Sequence, residues 1–267
     1  MNWYKAKTIL IVFFLMTNVF LLVNILTAAG KAAAIPEEII DSTVQILAGK
    51  QITIDKTRIP RKNVSMPSPE VQNIITDYEA FAAKLLGDGL AEETPGVFSN
   101  EAGRVQFEGD RFLFAPSSPS YLDTSIKPDA RALLEQLGID VSDASMHLSD
   151  DGKTAVFSQE IAGYPLFGCS ITVLFNDHGL ETIEGCWFVE TDKPLFREKN
   201  TVKNAPSALI DFSSAASRPQ HALTVSALTL GYAVDGDGYH ATAALSPIWC
   251  IETEADGPFY IQAAENQ

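Results

Sequence analysis

The sequence predicts an α+β protein: a single N-terminal transmembrane helix, then an extracytoplasmic domain of antiparallel sheets with helices packed on one face. Three observations predict it. A long uncharged apolar run opens the chain. Short β-type segments separated by turn signals fill much of the remainder. Two later stretches share one order of elements, a helix and then four strands, which suggests two related units.

From Thr8 to Gly30 no residue is charged, and Ile9 to Leu26 is almost continuously apolar. At about 1.5 Å per residue a helix of that length covers the roughly 30 Å hydrocarbon core. Lys5 and Lys7 precede the run, while Lys31 and then Glu37, Glu38 and Asp41 follow it. Positive charge marks the cytoplasmic side, so the expected localisation is the cell membrane, single-pass, with the amino terminus inside. Trp3 and Tyr4 suit the inner headgroup belt. The expected organisation is a cytoplasmic stub over 1–7, a transmembrane helix over 8–30, an extracytoplasmic α+β part over 31–118 and a C-terminal part of two helix-plus-strands units over 119–267. A cleaved signal peptide is the rival reading, because Ala28-Ala29-Gly30 and Ala32-Ala33-Ala34 supply small residues. The apolar run is longer than the ~7–15 residues of a signal's apolar region.

Polar residues interrupt this run where they are expensive. Thr17, Leu21, Asn24 and Ala28 fall at heptad-like spacing on one side of a helix, with Asn18 beside them. An amide in hydrocarbon gains on the order of 0.6–2 kcal/mol from an interhelical hydrogen bond. These five residues are therefore the candidate partner-binding face. The bland alternative is that isolated Asn and Thr are tolerated in a span without a partner.

Downstream, Ile35 to Gly49 reads as a helix: Pro36 suits the first turn, and Glu37 and Glu38 complement the amino-terminal dipole. Gln51–Ile54 follows as a short strand, and Arg58–Pro69 reads as a linker or exposed loop. Ser68 and Pro69 open a second expected helix, with Val71, Ile74, Ile75, Tyr78, Phe81 and Leu85 on one face and Gly87 after it. Turns at Asn100–Gly103 and Glu108–Asp110 frame the hairpin arms Arg104–Phe107 and Arg111–Phe114. Pro116–Ser120 is a candidate boundary.

The first expected repeat unit is a helix over Pro128–Leu137 with strands near Ser145–Leu148, Thr154–Glu160, Cys169–Phe175 and Leu180–Val189. The second is a helix around Ala205–Ala216 with strands near Thr224–Val234, Tyr239–Leu245, Ile248–Thr253 and Phe259–Ala263.

The chain carries a formal net charge of −15. With the two lysines before the run set aside, the remainder stands at −17 by the same count. An acidic surface repels nucleic acid and anionic headgroups alike, so no nucleic-acid partner is expected. The four histidines, His147, His178, His221 and His240, are scattered, and no metal-ligand spacing occurs. There is no nucleophile elbow, phosphate-cradling glycine loop or dinucleotide fingerprint. Asp235-Gly236-Asp237-Gly238 reads as a hairpin turn, since a calcium loop would need Glu where Ser246 stands. No catalytic residue, metal or cofactor is assigned, and an enzyme is not expected.

Cys169 and Cys186 lie on two arms of a hairpin turning near Asn176–Gly179. A four-residue loop would pair Phe175 with Leu180 and set the cysteines opposite each other. A three-residue loop sets Val173 opposite Ile183 and Cys169 opposite Trp187, which matches apolar with apolar. The second register is preferred, the cysteines then point to opposite faces, and no disulfide is expected. Cys250, between Trp249 and Ile251, reads as a packed thiol.

One resemblance bears on function. Met1-Asn2-Trp3, Lys5, Lys7, Thr8, Ile9 and the apolar run with Asn18 before Phe20-Leu21-Leu22 resemble the start of the YycI family. These are regulators of the YycFG (WalRK) two-component system. Phe167–Asn176 with Gly179, Ala208-Leu209 with Phe212, Leu228–Tyr232, Leu245-Ser246-Pro247-Ile248-Trp249 and Tyr260-Ile261 are similar to the family's later hairpins and closing strands. Cys250 departs from the pattern, standing where a basic residue is expected. The resemblance implies a non-catalytic, membrane-anchored regulator linked to cell-wall homeostasis, which modulates a sensor histidine kinase through its transmembrane helix. It also implies a YycH-like partner outside the membrane. An anchored extracytoplasmic ligand- or cell-wall-binding module is the alternative.

Overall fold

The structure is a computed structural model, and it describes residues 3–32, 34–118, 129–191, 200–234 and 242–264. In chain order the elements begin with α1 (Trp3–Ala32), α2 (Glu37–Gly49), β1 (Ile52–Ile54), β2 (Ser65–Met66), β3 (Glu70–Asn73) and α3 (Tyr78–Leu86). The strands β4 (Ala91–Thr94), β5 (Val97–Asn100), β6 (Gly103–Glu108) and β7 (Arg111–Pro116) precede α4 (Ala130–Gln136). Then come β8 (Ser145–Leu148), β9 (Thr154–Ile161), β10 (Tyr164–Asn176), β11 (Gly179–Gly185), β12 (Phe188–Glu190) and β13 (Asn200–Thr201). The chain closes with α5 (Ala205–Ser214), β14 (Leu223–Val234), β15 (Thr242–Thr253) and β16 (Phe259–Gln262).

Two compact units share the chain. The first holds Met1–Ser65, Thr201–Leu228 and Ile251–Phe259. The second holds Met66–Asn200, Thr229–Cys250 and Tyr260–Gln267.

In the first unit, α2 packs on α5 and on β1. Glu37 and Glu38 sit in the first turn of α2, where the helix dipole favours carboxylates. Ile40, Thr43 and Leu47, at helical spacing, form its buried face. Asn204 caps α5 by accepting from the Ser207 N–H at 3.0 Å, and Phe212 near its end meets the Phe259 ring at 5.1 Å. β1 runs parallel to β14, with Ile52 beside Leu223 and Ile54 beside Val225.

In the second unit the antiparallel run β4–β5–β6–β7–β11–β10–β9–β8 carries the largest core. Its strands alternate cleanly: in β6, Val105 and Phe107 are buried while Arg104, Gln106 and Glu108 are exposed. Phe81 and Leu85 of α3 and Leu133 and Leu134 of α4 join Phe112, Phe114, Phe157 and Ile171 in that core. Phe81 meets Phe112 edge-on at 5.2 Å, and Tyr78 stacks on Phe107 at 4.5 Å.

The expected fold class is corrected. Among the described residues the strands form a 14-stranded mixed sheet with few helices, in place of antiparallel sheets with helices on one face. β14 pairs parallel with both β1 and β10, unions of segments far apart in sequence. Hairpin turns connect only antiparallel neighbours, so a reading built on turns misses such pairs. Two related helix-plus-four-strand units are not seen either. Thr242–Thr253 is one strand through Pro247, whose carbonyl accepts from Ala263 N–H, and only β14, β15 and β16 follow α5 among the described residues.

The transmembrane helix is corrected too: among the described residues no helix is long and apolar enough to cross a membrane.

The helix expected from Ser68 begins instead at Tyr78, capped by Asp77, which accepts from Ala80 N–H at 2.8 Å. Its first half is β3, where Val71 and Asn73 alternate into the interior and pair with β12 and β15. A short apolar run fits either period, and ladder partners on both edges decide for the strand.

Candidate partner-binding site

α1 is helical over its whole span because Leu, Met, Phe and Ala resist no turn of it and no Pro or internal Gly breaks it before Gly30. Its side chains are open: Leu10 is 70% exposed, Phe13 71% and Met16 67%. Consecutive apolar residues circle the helix, and such a helix ordinarily sits inside apolar surroundings.

Of the five residues expected to form the contact face, Leu21 is exposed, and Thr17 and Asn18 are exposed with them. The Thr17 hydroxyl donates to Phe13 O at 2.9 Å, and the Asn18 amide donates to Phe14 O at 2.8 Å. Both thus satisfy a donor within their own helix, a requirement sequence spacing does not reveal. Asn18 still has its side-chain carbonyl and a second amide hydrogen to offer a neighbouring helix. Asn24 and Ala28 continue the helix, and their side chains lie outside the described residues.

The second unit supplies two concave surfaces. One is a small apolar cavity of about 250 Å³ between Phe167, Gly168, Ala233, Ile248, Tyr260 and Gln262. The rings of Phe167 and Tyr260 meet at 5.7 Å. Gly231 permits the close approach beneath, since a β-carbon there would stand 2.4 Å from the Phe167 ring and from Pro165 O. The other is a polar groove of about 390 Å³ on the outer face of β6, β7, β11 and β10, carrying Glu108, Arg111, Ser170, Thr172 and Glu184.

The cysteine hairpin uses both registers considered from the sequence. Next to the turn Asn176 pairs with Gly179 and Phe175 with Leu180. A bulge between Leu174 and Phe175 then shifts the ladder, so Val173 faces Ile183 and Ile171 faces Gly185. Cys169, Cys186 and Cys250 are free and buried. Cys169 and Cys186 are each almost fully buried, at 4% and 2% exposure, and the hydrogen bonds of their thiols go to different acceptors. The ladder ends at Gly185, and irregular backbone at Gly168 (φ +76°) and Gly185 (φ +147°) turns both side chains inward. Burial pushes the Cys169 thiol far above its ordinary range. The Cys169 thiol donates to Gln159 Oε1 and the Cys186 thiol to Gly168 O, both at 3.8 Å.

Sequence reading missed the pairing of His221 with Asp256. His221 Nε2 lies 3.0 Å from Asp256 Oδ2, and Thr253 Oγ1 both donates to Asp256 O and accepts from its N–H. The partners are far apart in sequence and meet only because β15 ends beside the start of β14, where Glu254 N–H donates to Thr224 O. His147 lies on exposed β8, and His178 on the β10–β11 turn, its N–H bonded to Asn176 Oδ1 at 2.9 Å. His240 and the Asp235–Gly238 turn lie outside the described residues.

No family model and no curated protein matches this chain. Among solved structures it is similar to an uncharacterized protein from Eubacterium rectale, at 14% sequence identity and a TM-score of 0.42. That match covers 84% of this chain and 94% of the other.

Proposed function

We propose that the protein is a non-catalytic regulator that acts at the cell membrane by biasing a two-component sensor histidine kinase, with cell-wall homeostasis as the process controlled. The observation that carries the reading is the uncovered apolar surface of α1, Leu10 to Leu22, with the Asn18 side-chain carbonyl unbonded among the described residues in its midst. Packing these side chains against helices of the kinase removes them from water at about 25 cal/mol per Å². A contact that favours one signalling state over the other by about 1–3 kcal/mol changes output several-fold to a hundred-fold. The resemblance of the amino terminus to YycI names the partner class, and a YycH-like regulator is the second expected partner.

The test is co-purification of the full-length chain with the cell-wall sensor kinase from membranes. Phe13→Ala with Met16→Ala is expected to weaken association at least tenfold. Thr17→Leu alone is expected to change it less than threefold, because that hydroxyl is already bonded within its own helix. Absence of association for the unmodified chain would overturn the reading.

A ligand- or cell-wall-binding module is the second reading, favoured by the apolar cavity beside Phe167 and Tyr260. Its volume suits a small apolar group rather than a drug-sized ligand.

A further inference from the structure

The first unit holds an open groove of about 630 Å³ where the end of α2 meets the end of α5, and its chemistry departs from the rest of this acidic chain. Lys50, Gln51, Ser213, Ser214, Arg218 and Gln220 supply its polar wall, and no carboxylate lines it. Lys50 Nζ donates to Ser214 Oγ at 2.8 Å, to Ser213 Oγ at 3.1 Å and to Ser213 O at 3.3 Å. Arg218 Nη1 donates to the same carbonyl at 3.4 Å, and its Nε to Pro219 O at 3.0 Å.

One cation at the last carbonyls of a helix needs no further explanation, since the dipole favours it there. Two cations converging on one carbonyl repel each other. The chain bears 34 acidic residues, yet among the described residues neither Lys50 nor Arg218 has a carboxylate within ion-pair distance. Gln51 beside them has φ +61° and closes α2 as the left-handed residue after its C-cap, its N–H donating to Ala48 O at 3.1 Å.

Donors remain to be used. Arg218 spends two of its five N–H groups, leaving three in a planar fork suited to an oxyanion. The Ser214 hydroxyl accepts from Lys50, so its own hydrogen stays available.

We infer that this groove binds a phosphate group, free or as an ester, held by the free N–H groups of the Arg218 guanidinium and the Ser214 hydroxyl, while Lys50, whose three N–H groups are engaged, contributes its charge. The site is independent of the regulatory reading and goes beyond it. Two cations 168 positions apart in sequence form a local positive site on a chain of opposite overall sign.

The test is calorimetric titration of the full-length chain in detergent with inorganic phosphate and, separately, with glycerol 3-phosphate at low salt. Saturable binding of at least one is expected. Arg218→Gln is expected to weaken it at least tenfold, and Arg218→Lys less, because the charge survives and the fork does not. Lys50→Gln is a second variant, and thermal unfolding without ligand shows whether each variant keeps its fold. Tighter binding of the ester would point to an esterified source, and equal binding to free phosphate; both support the site. Absence of saturable binding by the unmodified chain would overturn it. So would unchanged affinity in a folded Arg218→Gln variant.

Discussion

Gln159 and Tyr232 show how single polar groups are kept inside the second unit. The Gln159 amide donates to Phe188 O at 2.7 Å and accepts from Phe188 N–H at 3.1 Å, taking the place of a strand neighbour for that residue. Its burial is therefore satisfied at both ends, as a buried amide requires. Tyr232 is fully buried and donates its phenol to Pro67 O at 2.7 Å. Burial, with the nearby Tyr164 phenol and Glu190 carboxylate, pushes its pKa up to about 12. The raised value means the folded state holds the proton after the unfolded chain has released it. This part of the stability is complete below about pH 10 and is lost as pH rises towards about 12. Tyr232→Phe should flatten the alkaline fall in stability over that window, measured by urea unfolding at several pH values. At neutral pH the same variant should lose about 1 kcal/mol, the worth of the Pro67 hydrogen bond.

Elements with local signals formed where the sequence placed them; the exceptions are informative. α2, α5, β8 and the β6–β7 hairpin each carry a cap, a turn or a clean period, and each lies within a few residues of its expected bounds. α3 was expected to start at Ser68, but the cap that forms is Asp77, since β3 is claimed by two ladder partners. Asp77→Ala should therefore destabilise the second unit by about 1 kcal/mol, read as a lower urea midpoint with unchanged slope. The β10–β11 hairpin shows the limit of register arguments. Turn chemistry set the pairing beside Asn176, the buried face set it beyond Leu174, and a bulge reconciles the two. Of the expected contact face on α1, spacing was legible, whereas the internal bonds of Thr17 and Asn18 were not. Helical i−4 carbonyls compete for such donors in any helix.

At the scale of the molecule, charge acts as a field rather than as pairs. The described ion pairs lie at the surface, such as Lys153 with Asp177 at 2.7 Å and Lys203 with Asp211 at 2.5 Å. Exposed pairs of this kind contribute about 0–1 kcal/mol. A net charge of −15 makes self-repulsion the larger electrostatic effect. Salt screens that repulsion over about 10 Å at 0.1 M. The thermal midpoint should accordingly rise, by roughly 2–4 °C, between low and moderate ionic strength. A fall with added salt would mean that attractive pairs dominate instead.

By itself the sequence determined the acidity, the long amino-terminal helix and its apolar stretch, and most helices and hairpins, because periods, caps and turns act within a few residues of each other. Only the tertiary structure decided that the sheet is mixed, that β14 takes parallel neighbours, and that the Cys169 thiol meets the buried Gln159 amide. It alone joined His221 to Asp256 and Lys50 to the end of α5. These unions link segments distant in sequence. Which of them form depends on matching buried faces and satisfying every ladder hydrogen bond at once, and no local window contains that information.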